Sequence, residues 1–318
     1  MLWIIPAVAA YALFGLSAVA DRYLLAGPLP HPRAYAFYAG ITGLLASVLI
    51  PLSLFSGELF GITFPLFTFS IPQGLNLALP LAAGGAGIVA LYFLYRGLLQ
   101  GSVASVIPMI GAASPVATLL LGVLVAGERI DITPKLAAAF GLLVVGTVLL
   151  AFTSHPGRFE FSSRDVRNAL FAALFFGANY TLIKLTFLQE GFFNGFIWVS
   201  YGSFLMAASF LLVPGTRAIV FQKNPLVQRR VLWAFLVGKG SGTLGAFLQN
   251  VAIYLAQFVQ VALINALAGL QYFFILVFAG ILALRNPRLL KEELSISSVS
   301  LRFAGAGVIS LGIALLFL

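Results

Sequence analysis

The chain contains no cysteine. That excludes disulfides and thiolate metal sites and leaves the redox state of its compartment unspecified. Charge is the second scarcity: 8% of the 318 residues are charged, where soluble domains carry about 25%. A chain this poor in charge cannot cover its surface with water-seeking groups, so lipid is its expected solvent. Acids are the scarcer sign, 9 against 18 Lys and Arg, which leaves little for metal-dependent catalysis. No Walker A loop, H-E-x-x-H, G-x-S-x-G or paired Asp-rich motif is present. Neither cofactor nor metal is therefore expected, an ATP-driven engine has no room, and the chain is not read as an enzyme. His31 and His155 fall in loops and are read as incidental.

What is present is apolar length: 61% of residues are hydrophobic and mean hydropathy is +1.06. About 20 such residues cross a bilayer. Ten runs qualify, at residues 2–26, 33–56, 74–99, 101–126, 134–153, 166–188, 192–214, 229–256, 258–284 and 299–317. The run from Leu2 to Ala20 has no basic leader and no A-x-A-like site followed by a soluble domain, and is read as a retained span. The insert Leu59–Pro72 is too short to span and holds two prolines, as in an interfacial or re-entrant loop. The polar stretch 154–165 divides two halves, 1–153 and 166–318, of five runs each.

The halves align weakly. Gly15 falls on Gly177, and Ile107 on Ile264 within SVIPMIGAASP and ALINALAGLQY. Five spans is odd, so the second half must enter the membrane upside down, with a site expected near mid-bilayer between the halves. A net charge of +9 could suggest nucleic acid in a soluble protein, but here most bases, among them Arg22, Arg33, Arg96, Arg217, Arg229 and Arg285, lie in or beside alternate loops. That is the positive-inside pattern; it implies a lipid partner, no nucleic acid, and both termini outside the cytoplasm. The stretch Tyr92–Arg129 reads as two helices hinged at Gly97–Gly101, the second broken by Pro108 and Pro115. Interruptions of this kind point to a transporter's site and hinges.

The segment ALYFLYRGLLQGSVASVIPMIGAASPVATLLLGVLVAGERI, with GLLVVGTVLL after it, resembles the EamA repeat of the drug/metabolite transporter superfamily. The matching features are an aromatic-ended third helix, an Ala/Ser-rich start to the fourth, Pro115 near its middle, Gly127-Glu128 at its end and a Gly-rich fifth. The second copy has Tyr272 and Arg285 where the proline and Gly-Glu would stand. The resemblance implies an all-α membrane protein of ten helices in two repeats, and export or exchange of small metabolites in a bacterial inner membrane. Most bacterial members are thought to keep their termini in the cytoplasm, the reverse of the charge pattern here.

Charge inside a span costs about 2.5–3.5 kcal/mol at the centre on insertion scales. Lys239 lies deep in the eighth run, among Gly238, Gly240, Gly242 and Gly245. It either meets an anionic substrate group, titrates during transport, or is a structural partner to a carboxylate such as Asp21. Asn250, three turns on, shares its face, with small Thr243 and Ala246 between. Asp21 is the coupling candidate, for a proton, unless it snorkels with Arg22. Tyr92, Tyr95 and Arg96 share a face, as an interfacial belt or a pocket rim. Asn179, Tyr180, Asn265 and Gln271 are mid-span polar groups that either glue helices or touch solute. Gln249, Trp198 and Tyr201 divide the same way, and Ser105 and Ser114 suit bonds to their own helices. The reading is a secondary transporter of a small polar solute such as an amino acid, coupled to a proton or counter-substrate. An antiporter of phosphorylated solutes or nucleotide sugars is the alternative, and a lipid-modifying membrane enzyme the rival of another class.

Overall fold

The computed structural model describes residues 2–26, 31–59, 62–64, 67–100, 103–126, 133–152, 163–221 and 229–285, with residues 304–305, 307–309, 311–313 and 315 from the last run. The chain is helical almost throughout. In order come α1 (Ile4–Ala26), α2 (Pro32–Ile41), a 3-10 stretch (Thr42–Leu49) and α3 (Pro51–Leu54). A two-stranded antiparallel hairpin follows, β1 (Gly57–Leu59) and β2 (Ile62–Phe64). Then come α4 (Leu75–Gln100), α5 (Val103–Ala126), α6 (Pro134–Phe152), α7 (Ser163–Glu190), α8 (Phe192–Ser209), α9 (Thr216–Phe221), α10 (Arg229–Leu255), α11 (Gln260–Ala266) and α12 (Ala268–Arg285). Among the described residues six helical stretches are long and apolar enough to cross a membrane: Ile4–Leu25, Pro32–Leu54, Leu75–Leu99, Val166–Glu190, Phe192–Leu212 and Val231–Leu255. With shorter apolar helices beside them, this is a multi-pass all-α membrane protein. Its outward faces are apolar too: Leu120, Leu124, Trp233, Leu236 and Leu244 are exposed, as they are where lipid replaces water.

Side-chain contacts give the helix directions. Asp21 meets Lys239, Ser17 meets Gly238, and Phe14 meets Gly245, so α1 and α10 are antiparallel. Asn179 meets Ala83 and Phe171 meets Phe93, so α7 and α4 are antiparallel. Tyr180 meets Gln249 and Lys184 meets Tyr254, so α7 and α10 run the same way. Hence α1 opposes α7, and α4 opposes α10. Thr118 bonds Asn265 while Gly122 packs on Phe258, so α5 opposes α11 as well.

Small residues allow these approaches. A Cβ on Gly15 would lie 2.8 Å from Phe274 Cβ and 3.3 Å from the nitrogen of Ile275 in α12; one on Gly177 would lie 2.8 Å from Ala117 Cβ and 2.9 Å from the nitrogen of Thr118 in α5. Between α4 and α8 the fit is tighter still, because Gly84 and Gly202 bring the carbonyls of Val199 and Leu81 against the facing helix.

Three local expectations are corrected. The second span is not one α-helix: it tightens to 3-10 from Thr42, whose hydroxyl takes the carbonyl of Ala39 at 2.7 Å and so competes with the backbone. The Leu59–Pro72 insert opens with a hairpin strand, and its later part caps the start of α8 through Trp198 Nε1, which donates to the Ser70 carbonyl at 2.9 Å. The proline breaks are absent, since α5 is a single helix through both Pro108 and Pro115. Membrane helices tolerate proline where neighbouring groups re-satisfy the freed carbonyls. The junction of two helices expected at Gly97–Gly101 is present, since α4 passes Gly97 and ends at Gln100 and α5 begins at Val103.

The interruption lies instead at Leu267, between α11 and α12, where no proline stands. The Leu270 N–H turns to the Leu267 carbonyl at 2.8 Å, and the Ala266 carbonyl takes the Thr147 hydroxyl of α6 at 3.1 Å. A side chain inserted into the ladder is a recognised cause of such breaks, and Gly269 lets Thr147 come close. The Gly127-Glu128-Arg129 end and most of 154–165 lie outside the described residues.

Candidate functional site: a buried ion pair and a polar seam

Helices α1, α2, α4 and α10 enclose an apolar cluster that includes Leu24, Leu25, Tyr35, Tyr95 and Val231. Within it lies an ion pair: Lys239 Nζ is 3.3 Å from Asp21 Oδ1, with side chains 9% and 15% exposed. Lys239 also lies 3.7 Å from the centre of the Tyr35 ring and 5.6 Å from that of Tyr95. The two rings pack edge to face at 4.9 Å. The Tyr35 hydroxyl donates to Asp21. The Ser17 hydroxyl donates to the Gly238 carbonyl at 2.9 Å and lies 3.4 Å from the second Asp21 oxygen. Of the partners the sequence offered Lys239, Asp21 is the one beside it here, and the ammonium also lies against two ring faces. A pair in such surroundings is strongly coupled, and removing one member strands the other.

A second set of polar groups forms a seam where α1, α7, α10 and α11 meet. Tyr11 Oη donates to the Ile264 carbonyl at 2.7 Å and lies 3.2 Å from Tyr180 Oη. Gln249 donates to Tyr180. Close by, the Asn265 amide donates to Ser114 Oγ and Thr118 Oγ1, each at 2.7 Å. These bonds flank the Leu267 break, so hydroxyls of α1 and α6 take the carbonyls around it. Asn250 donates to the Ala246 carbonyl of its own helix at 2.8 Å, and its buried Oδ1 has no partner among the described residues.

The remaining candidates disperse. Asn179 donates to the Ala83 carbonyl at 2.8 Å and so ties α7 to α4. Gln271 reaches the Phe14 carbonyl at 3.5 Å. Tyr92 packs between Phe93 and Phe210 and accepts from Arg96 at 3.4 Å. Tyr95 is a buried member of the cluster around the ion pair, and Tyr92 packs against that cluster partly buried. Lys184 donates to the Tyr254 carbonyl at 3.1 Å. The side chains of Ser105 and Pro108 lie outside the described residues. Sequence reasoning passed over Tyr11 and Tyr35. Tyr11 carries the one hydroxyl between Trp3 and Ser17 in an otherwise apolar run, which was a usable signal; Tyr35 had none beyond its place at a span end.

No protein-family model matches the sequence, and no curated protein matches it. Solved structures do. One, described only as "Crystal structure of protein", matches with a TM-score of 0.66 and 16% identity over 98% of this chain and 94% of its own. At that identity the likeness concerns the fold, which extends over essentially the whole chain.

Proposed function

We propose that this chain is a secondary transporter in which two inverted five-helix halves carry a small polar solute by alternating access. The observation that carries the proposal is a set of paired contacts. The register that lays Ile107 on Ile264 also lays Ala117 on Phe274 and Thr118 on Ile275. Gly15 and Gly177, equivalent in the other register, pack on these same partners. That register also lays Ser17 on Asn179. Ser17 bonds the Gly238 carbonyl and crowds Gly242, and Asn179 bonds the Ala83 carbonyl and crowds Gly87. Each helix compared runs opposite to its counterpart. Two matched registers with opposed directions are what an inverted repeat produces, and transporters built on such repeats bind at the interface beside broken helices.

The solute site on this reading is the seam of Tyr11, Tyr180, Gln249, Asn250 and Asn265. Its groups are neutral donors and acceptors, which suits a zwitterion such as an amino acid. A phosphorylated solute would want a free cation, and Lys239 and Lys184 are both engaged. The Asp21–Lys239 pair then acts as a latch. It ties α1 to α10 and, through Tyr35, to α2, and a proton on Asp21 would release it.

The counterpart of Lys239 in α4 is Gly84, where α8 closes onto α4 in backbone contact. The same place between α2 and α10 holds a lysine and a ring, so the two equivalent contacts differ as two ends of an alternating cycle should. The test is a thermal-shift screen of purified protein against amino acids, nucleotide sugars and sugar phosphates, followed by uptake into proteoliposomes. A ligand that binds the folded form raises its melting temperature. Stabilisation by an amino acid with saturable, competed uptake is expected; lipid turnover without solute uptake would overturn the proposal.

A further inference from the structure

A cavity of about 510 Å³ opens between the end of α7, the start of α8, the end of α10 and the segment after the hairpin. None of its lining residues belongs to the ion pair or to the polar seam. Its walls include the rings of Phe67, Phe192, Phe193 and Tyr254, and Glu190 is the charged residue among its lining. Phe193 stacks on Phe67 at 5.1 Å, and Phe192 meets Tyr254 at 5.4 Å. The Glu190 carboxylate is oriented: it accepts from Asn194 Nδ2 at 2.8 Å. That amide is itself held by Ser70 on both sides, at 3.1 Å and 3.3 Å. Among the described residues no Lys, Arg or His lies within ion-pair reach of Glu190. Lys184, the nearest base along α7, is spent on the Tyr254 carbonyl and does not line the cavity.

The segments that adjoin the cavity agree in charge. Residues 55–74, 189–191 and 256–259 contain Glu58 and Glu190 and no Lys or Arg, in a chain with twice as many bases as acids. A carboxylate without a cationic partner, set among aromatic rings, attracts organic cations: the charge is met by the acid and the polarisable body by ring faces. We propose that this cavity binds an organic ammonium ion with an apolar body, with Glu190 as counter-ion and Phe67, Phe192, Phe193 and Tyr254 as walls. The binding stands on the cavity alone and does not depend on the chain being a transporter.

The test is isothermal titration calorimetry on the full chain in a non-ionic detergent, with phenethylammonium and benzyltrimethylammonium as probes and 2-phenylethanol as the neutral comparison. Saturable binding of both cations is expected, with 2-phenylethanol at least tenfold weaker. Glu190→Gln, which keeps an acceptor for Asn194, should weaken the cations at least tenfold and leave the alcohol unchanged. If that variant does not melt cooperatively, Phe67→Leu supplies the second reading and should weaken both cations severalfold. Equal binding of cation and alcohol, full affinity in either folded variant, or no saturable heat from folded wild type would overturn the proposal.

Discussion

At the scale of single residues the account turns on Lys239 and Asp21. Both are inside the bundle, and the Coulomb attraction between them is strengthened by the apolar cluster around it. Breaking a buried pair by removing one member typically destabilises by about 3–5 kcal/mol, whereas replacing both by apolar groups of similar volume is often neutral. Lys239→Ala should therefore lower the melting temperature measurably and abolish transport. The double variant Asp21→Leu with Lys239→Met should restore the melting temperature and leave transport abolished. Thermal unfolding and uptake on the same preparations separate the two roles; wild-type uptake in the double variant would reduce the pair to a structural one. Tyr11→Phe removes the hydroxyl that takes the Ile264 carbonyl. A buried group left unpaired costs about 1–3 kcal/mol, so this variant should lose stability, and a rise in KM for the solute would tie the seam to binding.

At the scale of elements, glycines decide how near the helices come. Gly84→Ala sets a methyl against the Val199 carbonyl, with backbone on both sides and nothing flexible to yield. Overpacking of that kind costs about 1–3 kcal/mol. Gly141→Ala in α6 meets nothing within 4 Å and, because alanine favours a helix over glycine, should match or exceed wild type in the same unfolding assay. Equal loss at both sites would mean that contact with the facing helix does not set the effect, since helix propensity favours alanine over glycine. The elements were also where the sequence was least legible. Long apolar runs announced the helices, because lipid forces backbone satisfaction within each segment. Pro108 and Pro115 announced a break, but membrane helices tolerate proline where neighbours re-satisfy the freed carbonyls. The break at Leu267 had no local signature, since its cause is Thr147, far away in sequence and brought near only by packing. Lys239 and Asp21 were each visible as expensive charges, and their pairing was one of the readings open. The Tyr35 and Tyr95 rings around them were not foreseeable as a pair, because they come from different helices.

At the scale of the whole molecule the account requires two faces of opposite character. Basic residues gather in alternate connections of the sequence, and the connection that holds the hairpin carries none. The absence of cysteine makes this easy to check: single cysteines at exposed Gln73 and Arg217 lie on connections assigned to opposite faces. In intact cells a membrane-impermeant thiol reagent should label Gln73→Cys and spare Arg217→Cys; the reverse result would turn the protein over, with its termini in the cytoplasm. The proposed repeat is visible in the sequence only as two weak alignments, and the helix directions and paired contacts are what support it. The central claim is that one solute site faces each side in turn, and counterflow tests it most directly. Proteoliposomes loaded with unlabelled amino acid should take up external labelled amino acid faster than empty ones and overshoot equilibrium. Uptake that ignores the internal load and rises linearly with concentration would contradict it.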